Sequence, residues 1–417
     1  MKFLTPFIAT LSLLAVPTFG RIWDNDQLRP DTTIDTKLAV SLLDTKEAAK
    51  GGWKTYKPDA KELSYKGRWD SRHTSWWSAP GLKFGFTGEK VAISFGKYTS
   101  PGVLIAFRYA GQDWQFTNVT AGQTHELISS RPLTSDPSKT PTSFELRVTN
   151  WAYGVQIAGV HIPRSERLYR IPDFPKRLEV IGDSLSAGMY ASYESLSSWA
   201  YLTAAGFGNV EYSISAYPGI CVTDQECWGN PRGQVHQWAY TSDGNVRQNE
   251  TWGNKPEKWN FKKQQPADIV IINLGTNDNN TANGVKNEDY VRSYKQLIDN
   301  VHSVFPRAQI IAMGLWNGFG PSGETYTPSP AFVKEIPEIV QSANRKYRKE
   351  FVHYFDVTGI LQHNDIGPGT WHPTDIGQMK VAAQMQMFIK MKFGWKSESV
   401  GPMVHSGTYI YNDECCY

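Results

Sequence analysis

The sequence predicts two domains: an N-terminal all-β sandwich, jelly-roll-like, then a three-layer α/β domain on a parallel sheet. Three observations carry this. The chain has 417 residues, and domains usually run to about 100–200 residues each. Between 36 and 165 the apolar runs are short, alternating and separated by Gly, Pro, Asn or Asp, as sandwich strands are. Between 175 and 395 continuous apolar runs alternate with helical periods, the pattern of a parallel sheet covered on both faces.

Taken in order, residues 1–20 come first. Lys2 precedes an apolar stretch from Phe7 to Val16, and Thr18 and Gly20 place small residues at a cleavage site. This reads as a secretory signal peptide, too short to span a bilayer comfortably. In the sandwich, Lys83–Phe86 and Val91–Phe95 flank the turn Thr87-Gly88-Glu89-Lys90, and runs at 103–109, 114–119, 125–128, 143–149 and 155–162 follow. His73, His125 and His161 are scattered through this half and read as structural or surface residues. In the second half, strands are expected at 177–181, 211–214, 269–274, 309–315 and 352–357, and helices at 197–205, 290–304, 331–350 and 375–392. Residues 396–417 form a C-terminal tail.

Composition excludes several classes. Hydrophobic residues at 40% and charged residues at 20% exclude a disordered, collagen-like or coiled-coil chain. With 43 basic against 40 acidic residues, net charge +3, there is no electrostatic footprint for nucleic acid or anionic membrane. No run approaches the ~20 apolar residues of a membrane span. A secreted, extracellular monomer is expected. Trp 15, Tyr 20 and Phe 19 serve burial first, and an excess of Trp also suits stacking on sugar rings.

Four cysteines, Cys221, Cys227, Cys415 and Cys416, allow three pairings, all of them open at this level. No His/Cys spacing near them supports a zinc site. Sequons stand at Asn118, Asn249 and Asn279.

Three short motifs fall at strand ends, where parallel sheets bind ligands. Gly182-Asp183-Ser184-Leu185 follows the first strand, and a Ser at a strand-to-helix turn exposes its hydroxyl beside free backbone N–H groups. Gly275-Thr276-Asn277-Asp278 follows the 269–274 strand, and its Asn can donate into the same crevice. Trp371-His372-Pro373-Thr374 precedes the last helix, which Thr374 or Asp375 can cap. Together they supply nucleophile, oxyanion donor and base, the parts of acyl transfer.

This set resembles the SGNH (GDSL) hydrolase superfamily over roughly 175–395. Ser184 matches its nucleophile, Asn277 its Asn and His372 its base; Gly219, in Ser215-Ala216-Tyr217-Pro218-Gly219, is the best match to its Gly. The superfamily usually carries Asp three residues before the His, and Gly369 stands there. A β-sandwich followed by an SGNH domain without that Asp is similar to carbohydrate esterase family 2. The resemblance implies an acetyl esterase of plant cell-wall polysaccharides, xylan or mannan type. It would work through a Ser184–His372 dyad, with an oxyanion hole from the Ser184 and Gly219 N–H groups and the Asn277 amide. The acyl transfer so implied needs neither metal nor cofactor. The resemblance also implies that a main-chain carbonyl orients His372. With Gly369 in place of the Asp, a carbonyl of the 367–370 loop is expected to do so; Asp365 and Asp375 are the alternative acceptors, Asp375 second because it is expected to cap the last helix. Asp183 and Asp278 read as loop-ordering carboxylates. Trp316 and Trp371 are candidate walls of an acyl or sugar pocket, with ordinary packing at least as expected; Trp228 reads as packing. A secreted lipase of the same superfamily and a non-catalytic carbohydrate-binding protein are the rival readings. A lipase should carry an apolar-rich lid insertion, which the sequence lacks, and the binding-protein reading conflicts with the presence of both Ser184 and His372.

Overall fold

The computed structural model describes residues 38–398 apart from 131–140, 152, 243–248, 250, 254, 317 and 368–369, together with a short pairing of Trp23–Asp24 with Gln27–Leu28. The expected signal peptide, Gly369, Cys415, Cys416 and most of the tail lie outside the described residues.

The first half is a sandwich of two antiparallel six-stranded sheets. One runs Gln115–Asn118, Leu104–Tyr109, Thr142–Val148, Gly81–Phe86, Leu168–Tyr169, with Ser64–Lys66 also on Gly81–Phe86. The other runs Ser41–Leu42, Thr124–Ile128, Val91–Phe95, Val155–Pro163, Trp53–Tyr56, with Thr74–Ser75 also on Val155–Pro163. Alternation decides the packing: Leu82, Phe84 and Phe86 from one sheet meet Ile93, Phe95 and Val160 from the other in a fully buried core. The Gly81–Phe86 strand is buried on its second face as well, because the sandwich lies against the next domain. Arg68 forms a buried ion pair with Glu179 at 2.8 Å across that seam, and Ser78 bridges to Ile214.

The second half is a five-stranded parallel sheet: β1 (Lys176–Gly182), β2 (Val210–Ala216), β3 (Ile269–Asn273), β4 (Gln309–Met313) and β5 (Val352–Phe355). The spatial order is β2-β1-β3-β4-β5. Its helices are α1 (Ser184–Ala187), α2 (Trp199–Ala205), α3 (Asn287–Val304), α4 (Glu335–Tyr347) and α5 (Asp375–Phe393). One face packs Trp199, Ala204, Val381 and Met385 onto the sheet; the other packs Tyr294, Leu297, Ile339 and Ala343. Strand β3 is buried along its whole length, which is why it reads as a continuous apolar run; β1 is nearly as buried but carries Arg177 and Glu179 among its buried residues.

The chain leaves β1 for β2 on one side and returns to β3 on the other. That switch opens a crevice at the carboxyl end of β1. Register sharpens the point: Gly182 is level with Ala216 on β2 and with Asn273 on β3. The three segments that follow therefore leave the sheet side by side. One element was not expected from the sequence, a hairpin of Phe319–Ser322 with Thr325–Pro328, hidden there by its Pro and Gly content.

Candidate active site

The strand-to-helix turn after β1 is built by its first three residues. Gly182 has no room for a side chain, since a Cβ there would stand 2.1 Å from Ser186 Oγ. Asp183 caps α1 by accepting the Leu185 N–H at 3.0 Å. Ser184 is then the first helical residue, and its Oγ lies 2.8 Å from His372 Nε2.

His372 is held by the loop before α5. Ile366 and Pro373 bridge antiparallel, the Gly367 N–H donates to the His372 carbonyl at 2.9 Å, and Thr374 caps α5 through the Gly377 N–H. The Tyr190 ring stands perpendicular to the imidazole, 4.9 Å between centroids. Burial pushes the His372 pKa down to about 4. Nδ1 finds no hydrogen-bond partner among the described residues. Both substitute carboxylates are engaged elsewhere. Asp375 accepts from the Ser192 N–H at 2.9 Å and from the Ser192 hydroxyl. Asp365 pairs with Lys380 at 2.7 Å and accepts the Gln362 N–H at 2.9 Å.

Asn277 enters from the turn after β3. Its Nδ2 donates to the Ile220 carbonyl at 3.0 Å and lies 3.4 Å from Asp183 Oδ2. Asp278 accepts the Val222 and Thr223 N–H groups at 2.9 and 3.0 Å. It thereby ties the turn after β3 to the loop after β2, the loop that carries Gly219. Gly219 has φ +80°, a backbone that favours glycine, and a Cβ there would stand 2.8 Å from Trp228 Cβ. Neither the Ser184 nor the Gly219 N–H donates a backbone hydrogen bond among the described residues. Burial, with the Asp278 charge adding to it, pushes the Asp183 carboxyl up to about 7, and burial raises Asp278 as well.

Ser184, Gly219, Asn277 and His372 thus converge on one cleft of about 500 Å3, walled by Trp228 and Trp371. Residues 180–380 match the GDSL-like lipase/acylhydrolase family. This domain belongs to that family. Beyond it, the chain is 24% identical over 367 residues to the cellulase/esterase CelE of Acetivibrio thermocellus, covering 80% of this chain and 40% of that protein. It is 24% identical over 179 residues to an acetylxylan esterase/glucomannan deacetylase of Cellvibrio japonicus, covering 37% of this chain and 46% of that one. The chain therefore spans less than half the length of the curated relatives it matches. A family two carbohydrate esterase from Clostridium thermocellum, solved in complex with cellohexaose, superposes with a TM-score of 0.63 at 22% identity, over 80% of this chain and 99% of that one. The two-domain fold is shared with such carbohydrate esterases.

Two tryptophans, Trp228 and Trp316, differ from their sequence reading, and Trp371 lies where it was expected. Trp228 is a wall of the cleft, 58% exposed, and not a packing residue. Cys221 and Cys227 form a disulfide, and Cys227 and Asn230 exchange N–H···O bonds at 3.0 and 2.9 Å. Trp228 and Gly229 then sit at the tip of a tight turn with positive φ at both positions, +50° and +77°. Cys-Trp-Gly-Asn was the available signal: a turn tip offers its side chain no core. Trp371 lines the cleft at 40% exposure. Trp316 does not line it; it is 4% exposed and faces a neighbouring cavity under the Phe319–Pro328 hairpin. It lies just past β4, but the chain turns it inward, and Gly318 backs the Trp371 ring, which a Cβ there would meet at 2.5 Å.

Among the described residues no group of three or more His, Cys, Asp or Glu is placed to hold a metal, and no helix is long and apolar enough to cross a membrane.

Proposed function

We propose that this chain is a secreted serine esterase that removes O-acetyl groups from plant cell-wall polysaccharides of xylan or mannan type. The observation that carries the reading is the 2.8 Å approach of Ser184 Oγ and His372 Nε2 at an open cleft with aromatic walls. In the first step His372 Nε2 takes the Ser184 proton as Oγ bonds to the acetyl carbon. The carbonyl oxygen becomes an oxyanion facing the Ser184 N–H, the Gly219 N–H and the Asn277 amide. Loss of one such donor typically slows turnover about 10²–10³-fold. Collapse expels the sugar oxygen, which takes the proton from His372. Water then attacks the acetyl-enzyme, again giving its proton to His372, and acetate leaves with Ser184 restored.

The engagement of Asp365 and Asp375 elsewhere supports a Ser–His dyad in which a neutral carbonyl of the 367–370 loop accepts the Nδ1 proton. The exposed rings of Trp228 and Trp371 support a saccharide on the alcohol side of the ester. An acetylxylan esterase/glucomannan deacetylase and an esterase in complex with cellohexaose among the similar proteins support the same substrate class. Residues 1–20 support export.

The deciding experiment is acetate release from acetylated xylan, glucomannan and pectin by the wild type and by Ser184→Ala, with p-nitrophenyl esters of increasing chain length beside them. Release from xylan or glucomannan that vanishes in Ser184→Ala is expected, with activity falling steeply beyond acetate. A preference for octanoate would replace this reading with that of a lipase, and no turnover of any ester would leave a non-catalytic carbohydrate-binding protein.

A further inference from the structure

A second cavity opens where the two domains meet, at the amino end of the parallel sheet. It measures about 430 Å3, within the ~300–1,000 Å3 of small-ligand sites. Arg177 at the start of β1 and Glu211 at the start of β2 line it from the α/β domain. The Ser64–Lys66 strand lines it from the sandwich. β1 spans Lys176–Gly182, so at ~3.3 Å per residue the cavity stands about 20 Å from Ser184. No step of the esterase reading uses it.

Its chemistry is specific in three respects. Tyr65, Trp69 and Trp259 are among its walls, with the Tyr65 and Trp69 rings 5.0 Å apart and tilted by 56°. Such rings present apolar faces that suit the C–H faces of a sugar, while the Tyr65 hydroxyl and the Trp69 N–H are held on the Pro58 and Lys66 carbonyls. Its inner polar groups are already tied in place. Lys66 Nζ bonds Asp173 at 2.6 Å and Glu211 at 2.7 Å, and Glu211 also accepts the Phe174 N–H at 3.1 Å. Groups held in advance lose little freedom when a ligand arrives. Charge is nearly balanced, five cationic side chains against four carboxylates. That balance offers no net attraction to a phosphate, a uronate or a metal ion, while an acyl chain would desolvate charged groups without compensation. A neutral ligand rich in hydroxyls meets all three conditions.

We propose that this seam is a second, non-catalytic site for one or two units of a neutral saccharide. It shares the ligand class of the esterase reading and none of its residues. A glycan held here leaves the catalytic cleft free, and the sandwich then contributes to substrate capture as well as to stability.

The test is calorimetric titration of the full chain with cellohexaose, xylohexaose and mannohexaose into the millimolar range. Two sites per chain are expected for at least one of them. Trp228→Ala with Trp371→Ala removes one, and Trp259→Ala weakens the other at least tenfold. Trp259 is buried and lies 5.9 Å from the Arg68 guanidinium, so Lys263→Ala and Asp59→Ala, both exposed at the mouth, decide the matter if Trp259→Ala fails to fold. They should weaken the same site at least threefold. One site that disappears with the cleft variants, no binding beyond the cleft, or tighter seam binding of oligogalacturonate than of neutral chains overturns the proposal. Turnover of p-nitrophenyl acetate is followed in parallel. Its absence in the wild type refutes the esterase reading and leaves the seam stoichiometry to be judged separately.

Discussion

Two serine–histidine pairs occur among the described residues, alike in their hydrogen bond and in the burial of the imidazole, and they differ in what surrounds them. Ser184 Oγ and His372 Nε2 lie 2.8 Å apart at the end of β1. Ser94 Oγ and His161 Nε2 lie 2.7 Å apart in the sandwich. Burial pushes both histidines down to about 4. His161, however, is bound at both nitrogens, with Thr55 Oγ1 2.9 Å from Nδ1. Ser94 also shares a 2.6 Å bond with Thr124 and is paired in the ladder on both sides. A carbonyl brought to Ser94 would meet backbone already committed to a sheet. Ser184 instead begins a helix, beside the Gly219 N–H and the Asn277 amide and open to a cleft. A Ser–His contact is a reactive site only where backbone donors are left over to receive the developing charge.

The strongest break of this comparison is a pair of alanine substitutions. Ser184→Ala should lower kcat for p-nitrophenyl acetate by at least about 10³-fold while folding normally. Ser94→Ala should leave the rate unchanged and lower Tm by a few degrees, through lost hydrogen bonds. Retention of more than a few per cent of turnover in purified Ser184→Ala would remove it as nucleophile.

The base comes next. His372→Ala should approach the loss of Ser184→Ala, whereas Asp365→Asn and Asp375→Asn should each cost less than about threefold. A folded Asn variant, judged by circular dichroism, that falls as far as His372→Ala would identify that Asp as a third catalytic member.

Acid titration separates the pairs differently. Catalysis needs neutral His372, so with its pKa at about 4 kcat/KM should stay level from neutral pH into the mildly acidic range and drop only near pH 4. A limb near pH 6.5 would contradict the burial of His372. Stability behaves otherwise. Both histidines titrate lower in the folded chain than the ~6.5 of an unfolded one, so below about pH 6.5 the unfolded chain binds protons first and stability falls toward pH 4. The raised Asp183 and Glu194 carboxyls, each about 7, act in the opposite sense: their contribution is complete below about pH 4 and lost as pH rises through 7. His161→Asn should therefore flatten the fall of Tm between pH 6.5 and 4.5 and leave the pH–rate profile in place.

The smallest expected effect lies at the cleft wall. Trp228→Ala should raise KM for acetylated polysaccharide about two- to tenfold, the scale of one aromatic contact, with little change for p-nitrophenyl acetate. Equal losses on both substrates would assign Trp228 to loop packing. Reduction of the Cys221–Cys227 disulfide should reproduce the same split between substrates, because it anchors the turn that presents the ring.

Much of this was legible in the residues alone, for a local reason. Alternation marks sandwich strands, and a continuous apolar run marks β3, because each depends on which face of a few neighbouring residues is buried. The motifs at 182–185 and 275–278 were visible because they adjoin strands, and that at 371–374 because it opens the last helix; a parallel sheet brings strand ends together whatever the helices between them do. Relations between distant segments needed the folded chain. Asp375 is turned to Ser192, 183 residues away, and not to His372. Trp228 is outside and Trp316 inside, a choice made by a disulfide-anchored turn and by a hairpin of weak local pattern. The seam cavity exists only because a sandwich strand and the amino ends of β1 and β2 meet. Chain spacing specifies which residues can share an element; burial and hydrogen bonding between elements select which of them face a ligand.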